Sequence, residues 1–227
     1  MINCTADHFS TLRRGGLYAI TPDGWPEKAL FEALEAALSG GARLVQYRTK
    51  TATPDIRCRQ AEWIQRLCAA HRVPLIVNDD PRLAAEVGAA GVHLGIDDPE
   101  PAAARRLLGP QAIIGWSCYN DRDRLARARD AGVDYVALGA FFPSTTKPGA
   151  RRARPADLAA GRRSGLVVVA IGGITPDNGA ALIAAGADWL AVAGGLFGPS
   201  GTPPAAIAGR AAAFHQLIAA TTHATEQ

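Results

Sequence analysis

The sequence predicts a single-domain α/β protein built as a closed (β/α)8 barrel of the TIM type. Three observations carry this. Eight short apolar runs recur along the chain, separated by segments of helical character. Some runs are apolar at every position, as at 75–77 and 166–171, which suits parallel strands covered on both faces. Eight such units in 227 residues match the size of a closed barrel. The alternative is an open doubly wound sheet. The missing glycine fingerprint after the first strand weighs against it.

The strands are expected at 17–21, 43–48, 73–78, 91–94, 112–117, 134–139, 166–172 and 188–193. Helices fill the gaps. Pro26, Pro54, Pro81, Pro99, Pro155 and Pro176 stand near their starts, where the missing N–H has no partner to lose. Gly-Ala and Ala-Gly pairs at 40–42, 90–91, 131–132 and 185–187 follow the helices, and glycine is the usual residue past a helix C-terminus. No linker or low-complexity tract interrupts the pattern. One domain over 1–227 is therefore expected, with the barrel at about 16–220 and short flexible tails.

Composition narrows the partners. Hydrophobic residues make up 48% and charged residues 20%, which fits a packed globule and not a disordered chain. A net charge of +3 and the lack of a binding motif argue against nucleic acid. No stretch reads as a signal peptide or a membrane helix, so neither export nor a membrane partner is expected. Cys4, Cys58, Cys68 and Cys118 form no Cys-x-x-Cys pair. They read as reduced thiols of a cytoplasmic protein, with no zinc site. A homo-oligomer is compatible with the sequence.

Only three of the 24 basic residues are lysines: Lys28, Lys50 and Lys147. Chemistry in such a barrel sits at the C-terminal ends of the strands. There the second strand ends Gln46-Tyr47-Arg48-Thr49-Lys50, and the third ends Asn78-Asp79-Asp80. The fourth leads into Asp97-Asp98, the fifth ends Trp116-Ser117-Cys118, and the sixth runs into Ser144-Thr145-Thr146-Lys147. Lys50, Lys147 and Arg48 converge as cations. Asp79 and Asp98 come from neighbouring strands and can share a hard cation such as Mg2+, which takes carboxylate, water and phosphate oxygens. The glycines after the seventh and eighth strands, Gly172-Gly173 and Gly194-Gly195, suit backbone N–H binding of one phosphate. Two anion sites follow, one for a polyphosphate with metal and one for a monophosphate. Simpler readings stand beside these. Asp80 and Asp97 read as helix caps or solvent-facing residues, His93 as a packed histidine, Lys28 as a surface helix residue, and Trp116 and Phe142 as wall residues.

Six segments then resemble one family, thiamine-phosphate synthase: 45–50 (VQYRTK), 77–80 (VNDD), 91–98 (GVHLGIDD), 113–120 (IIGWSCYN), 137–150 (ALGAFFPSTTKPGA) and 169–178 (VAIGGITPDN). The resemblance implies a transferase that joins a hydroxymethylpyrimidine diphosphate to a thiazole phosphate, or to its carboxylated form. The products are thiamine phosphate and diphosphate, and Mg2+ is the cofactor. It implies Arg48, Lys50, Ser117 and Lys147 as catalytic residues. Gln46, Tyr47, Thr49 and Asn78 join them in binding the pyrimidine diphosphate. Ser144, Thr145, Thr146, Gly173, Ala193 and Gly194 would meet the thiazole phosphate, and Asp79 and Asp98 the Mg2+. Three positions depart from the family's pattern. Thr49 stands where an acidic residue is usual, Ile96 where Gln is common, and Gly194 where Ser or His is frequent.

Two rivals are a thiazole tautomerase of the same fold and a non-catalytic barrel that binds thiamine precursors. The tautomerase typically carries a His where this chain has Ala140 and lacks the Asn-Asp pair. The intact cations and carboxylates argue against a barrel without catalysis.

Overall fold

The computed structural model describes residues 8–143 and 152–225, with side chains described through Thr221. Eight parallel strands close a barrel in sequence order. They are β1 (Gly16–Ile20), β2 (Leu44–Tyr47), β3 (Leu75–Asn78), β4 (Gly91–Leu94), β5 (Ile113–Tyr119), β6 (Tyr135–Gly139), β7 (Val167–Ile171) and β8 (Trp189–Val192). β8 closes on β1, pairing Gly16 with Trp189 through Ala19 with Val192. The helices are α1 (His8–Arg14), α2 (Glu27–Ser39), α3 (Pro54–Ala70), α4 (Pro81–Glu86), α5 (Pro101–Leu108), α6 (Arg122–Ala128), α7 (Pro155–Arg163), α8 (Ala180–Ala184), α9 (Gly194–Phe197) and α10 (Pro204–Thr225). Pro54, Pro81 and Pro155 each open their helix, as the sequence predicts.

Why the strands read as unbroken apolar runs is visible in their two faces. Leu17, Ala19, Val45, Tyr47, Val77 and Val92 point out and pack under the helices. Tyr18, Leu44, Ile76, Ile113, Tyr135, Val169 and Trp189 point in and fill the barrel. Most positions are therefore buried whichever way they face, and alternation disappears from the sequence.

The chain ends differ from the expected tails. Residues 8–14 form α1, and Leu12 is only 2% exposed within the interior cluster. The Trp189 indole N–H donates to the Leu12 carbonyl at 2.8 Å, which fixes α1 against the N-terminal end of β8. Phe9 and Leu12, three residues apart, are the only apolar signal for so short a helix. At the other end α10 runs on to Thr225, past the boundary expected near 220, with Ile207, Ala211 and Phe214 buried.

One inward glycine makes room for a large interior ring. A Cβ on Gly115 would lie 2.0 Å from Cζ of Tyr135. Gly115→Ala is expected to destabilise the fold by about 1–3 kcal/mol through overpacking. Denaturant unfolding measures this, and a midpoint equal to that of the unsubstituted protein would contradict it.

Candidate active site

The polar groups of the barrel gather at the C-terminal ends of β1 to β5. Strand alternation explains which side chains point in. Leu44 faces inward, so Gln46 does too; likewise Ile76 and Asn78, Gly91 and His93, and Ile113 and Ser117. Gln46 is 4% exposed, and its Nε2 donates to the Tyr18 hydroxyl at 2.9 Å. Tyr18 and Tyr135 share a hydrogen bond of 2.9 Å between their hydroxyls. His93 Nδ1 lies 3.0 Å from the Tyr135 hydroxyl, and its Nε2 lies 2.8 Å from Ser117 Oγ. Complete burial pushes the phenol of Tyr18 well above its ordinary range, and burial followed by the charge of Tyr18 does the same at Tyr135. Both therefore stay neutral.

The charged cluster sits beside this row. The Lys50 ammonium pairs with Oδ2 of Asp79. Asp79 adopts a left-handed backbone conformation with φ of 66°, and its N–H donates to the carbonyl of His93 at 2.8 Å. The Asp79 and Asp98 side chains lie within hydrogen-bonding reach of each other. Burial raises the Asp79 carboxyl, but its bonds to Lys50 and Asp98 and the Lys50 charge outweigh this and hold it below the usual carboxylate range. Burial and then the neighbouring Asp79 push Asp98 up. Asp98 Oδ2 also accepts from the Gly95 N–H at 2.6 Å. Two like charges so close favour one shared proton or a cation between them. Among the described residues, no group of three or more His, Cys, Asp or Glu could hold a metal. A cation here would take two carboxylates and complete its shell with water or ligand oxygens, which is the habit of Mg2+.

Asp23, which sequence reasoning missed, holds the β2–α3 loop. Its carboxylate accepts from Thr49 Oγ1 at 2.8 Å, from the Lys50 N–H at 3.0 Å and from Thr51 Oγ1 at 2.9 Å. Burial acts to raise this carboxyl, and these bonds outweigh it, leaving it below its ordinary value. Thr49 therefore helps shape the loop, and an acidic residue there would face Asp23 with like charge. Arg48 is anchored through its backbone, whose N–H donates to Thr21 Oγ1 at 2.9 Å. Among the described residues, no acidic group pairs with the Arg48 guanidinium. Arg124 was also missed. It is 6% exposed, donates to the carbonyls of Ser117 at 2.7 Å and Gly95 at 2.6 Å, and lies 3.8 Å over the Trp116 ring. It ties the ends of β4 and β5 together. The signal for both residues is a polar side chain in the segment that follows a strand, which the sequence offers at many places.

The glycine-rich end lies across β7 and β8. Gly173 has φ of 67°, and a Cβ there would lie 2.4 Å from the Pro143 carbonyl oxygen, so only glycine fits. Asn178 donates to the Gly173 carbonyl at 3.1 Å and accepts from the Thr175 N–H at 2.9 Å. Ala193 precedes α9, and a Cβ on Gly194 would meet nothing within 4 Å. The backbone is open at Gly194, and no packing demands a larger residue. Ile96 is 59% exposed, so that departure from the family pattern points to solvent.

Some expected residues stand apart. Tyr47 faces outward and is 2% exposed; its hydroxyl donates to Gln60 Oε1 of α3 at 2.8 Å. It belongs to the helix layer, because strand alternation puts it opposite Gln46. Trp116 likewise packs outside the barrel beneath Arg124. Asp80 caps α4, accepting from the N–H groups of Arg82 and Leu83, and Asp97 is exposed. Lys28 is a surface helix residue, with Glu32 one turn away. Ser144, Thr145, Thr146 and Lys147 lie outside the described residues.

A family model for thiamine monophosphate synthase matches residues 17–196. That span holds all eight strands of the barrel except Gly16, the first residue of β1, and the whole polar cluster. The chain belongs to the thiamine monophosphate synthase family. A thiamine-phosphate synthase from Marinobacter nauticus is 52% identical over 207 residues, covering 91% of this chain and 92% of that protein. One from Chromobacterium violaceum is 54% identical over 192 residues, covering 84% and 92%. Among solved structures, a thiamine phosphate pyrophosphorylase from Pyrococcus furiosus superposes with a TM-score of 0.80 at 26% identity, covering 92% of this chain and 98% of that one.

Proposed function

We propose that the chain is a transferase that forms thiamine phosphate. It joins a 4-amino-2-methylpyrimidinylmethyl diphosphate to a thiazole phosphate and releases diphosphate. The observation that carries this is the cluster of Arg48, Lys50, Asp79 and Asp98 at the open end of a barrel from this family. Nothing in the site favours the tautomerase or a barrel without catalysis.

The geometry supports a dissociative step. Loss of diphosphate leaves positive charge on the pyrimidine methylene, which the ring amino group stabilises, and negative charge on the leaving group. Asp79 and Asp98 would hold Mg2+, which would supply positive charge to offset that of the departing diphosphate. Lys50 is placed to move from Asp79 onto those oxygens, and Arg48 supplies a second cation. Asn78 faces the same end of the barrel and suits a polar contact to the diphosphate. Gln46 and Ser117 face the pyrimidine. The thiazole nitrogen attacks through a lone pair and carries no proton, so no general base is required. The thiols agree with this: burial pushes Cys68 and Cys118 up to about 12, where neither is a nucleophile. Gly173, Ala193 and Gly194 offer backbone groups to the thiazole phosphate, and the family resemblance adds Ser144, Thr145 and Thr146 as further contacts. Among the described residues no helix is long and apolar enough to cross a membrane, and Cys58, Cys68 and Cys118 form no disulfide. Both facts support a cytoplasmic enzyme acting on small molecules.

The test is incubation of the purified protein with both precursors and Mg2+, measuring thiamine phosphate and diphosphate in equal amounts. Product formation that survives complete removal of divalent metal would overturn the metal assignment, and no product would overturn the reaction. Lys147→Ala is expected to depress turnover by ~10²-fold or more, because the family resemblance makes Lys147 a cation for the leaving diphosphate. Near-normal steady-state turnover would remove Lys147 from the site.

A further inference from the structure

The barrel interior holds an unbroken row of side-chain hydrogen bonds, and both its ends are candidate pyrimidine contacts. The row runs Gln46–Tyr18–Tyr135–His93–Ser117, crossing from β2 through β1, β6 and β4 to β5. Its middle members are buried, at 1% exposure for Tyr18, 0% for Tyr135 and 7% for His93. The transfer reaction itself makes no use of these three.

Counting protons fixes the sense of the row. Gln46 Nε2 can only donate, so the Tyr18 oxygen accepts from it. Tyr18 then has one proton to place, and Tyr135 is its next partner along the row. Tyr135 accepts that proton and donates its own to His93 Nδ1. With Nδ1 accepting, a neutral imidazole carries its proton on Nε2, which donates to Ser117 Oγ. The Ser117 hydroxyl proton is left for a ligand. Gln46 commits one of its two amide N–H groups to Tyr18, which keeps the amide from flipping and leaves Oε1 and the second N–H for a ligand. Reversing any one bond leaves two protons, or none, between some pair of these buried atoms. Full reversal needs the Gln46 amide to rotate, both phenols to turn and the imidazole proton to move to Nδ1, all together.

We propose that Tyr18, Tyr135 and His93 are positioning residues that set the hydrogen-bond polarity of the pyrimidine pocket: they hold the Gln46 amide unflipped, with Oε1 as its acceptor, and make Ser117 a donor. The matching ligand edge carries an N–H donor beside a nitrogen acceptor, as a 4-aminopyrimidine does. A 4-oxopyrimidine presents the opposite pattern, a carbonyl acceptor beside an N–H donor. Its carbonyl would meet Gln46 Oε1, and its ring N–H would leave the Ser117 hydroxyl proton without an acceptor. The row is thus a specificity device for the amino over the oxo heterocycle. The choice of ligand rests on the pyrimidine reading above, whereas the sense of the row does not.

Two measurements test it. In ligand-free protein labelled with 15N-histidine, long-range 1H–15N spectra read the His93 tautomer, with the signal assigned by its loss in His93→Gln. A neutral ring protonated on Nε2 is expected. A ring protonated on Nδ1, or on both nitrogens, at neutral pH would overturn the assigned sense. Tyr135→Phe and Tyr18→Phe, checked by thermal unfolding, keep the rings and remove one link each. Both tautomers should then appear. The preference for the 4-amino over the 4-oxo pyrimidine diphosphate, read as the ratio of their binding constants, should fall by about tenfold or more, since a mismatched buried group no longer opposes the oxo ligand. The rise should lie in KM for the amino substrate, with kcat changed much less. An unchanged preference in both variants would overturn the proposal. If the unsubstituted protein binds neither diphosphate, the pyrimidine reading fails and the assigned ligand with it, while the tautomer still decides the sense of the row.

Discussion

Asp79→Asn is expected to lower turnover by about 10²–10³-fold at saturating substrate, because the leaving diphosphate loses its neutralising partner. The choice of Asn matters. Asp79 sits at φ of 66°, a conformation that Asn adopts readily and most other residues do not. Asp79→Ala would mix lost charge with backbone strain, whereas Asp79→Asn removes the charge and keeps the loop. Lys50 also loses its present partner in this variant. Asp98→Asn should act in the same direction and respond more to added Mg2+, because Asp79 would remain to hold the ion. If both carboxylates serve one ion, the double variant should fall well short of the product of the two single losses. Steady-state kinetics across a Mg2+ titration measures all three. Turnover of Asp79→Asn within tenfold of the unsubstituted protein at saturating Mg2+ would remove Asp79 from the metal site.

What the sequence made legible and what it did not have physical reasons. The eight strands were readable because a barrel strand is buried on both faces, so its residues form dense apolar blocks such as 166–171. Strand ends were readable because polar residues interrupt those blocks, and Asn78, Asp79 and Ser117 stand at such interruptions. α1 was not legible, since two apolar residues in seven carry little periodicity, and its burial depends on Trp189, 177 positions further along the chain. The inner row of hydrogen bonds was hidden for another reason. Tyr18 and Tyr135 look like ordinary strand aromatics, and only closure of the barrel brings residues 117 positions apart to 2.9 Å. Asp23 was hidden because its three partners, Thr49, Lys50 and Thr51, lie on the next βα loop. Tyr47 was misplaced by treating a run of strand-end residues as one surface. Alternation sends Gln46 into the barrel and Tyr47 to Gln60 under α3. Thr49 shows the reverse lesson, because a departure from the family's pattern became intelligible once Asp23 was seen to accept its hydroxyl proton.

Lys50→Met should lower kcat by about 10²-fold, since the ammonium that meets the diphosphate is gone. Lys50→Arg should recover little of that loss, although it restores the charge. The reason lies in the space around the ammonium. Lys50 contacts Asp79, which in turn touches Asp98, so the cation shares its surroundings with the proposed metal position. An ammonium is a compact charge that can pass from the carboxylate to a phosphate oxygen as substrate arrives. A guanidinium is a broad planar fork that favours a two-pronged hold on the carboxylate. It would compete with the ion for Asp79 instead of serving the leaving group. The backbone is not free to adjust, because Asp23 pins the Lys50 N–H and the hydroxyls on either side of it. This chain uses arginine at nearly every basic position, so a lysine here reflects the demands of the site. Lys50→Arg with unaltered kcat and an unaltered Mg2+ requirement would show that charge alone suffices and would remove the compact ammonium from the mechanism. Asp23→Asn offers the complementary measurement. It leaves Lys50 in place and loosens the loop, so KM for the diphosphate substrate should rise more than kcat falls.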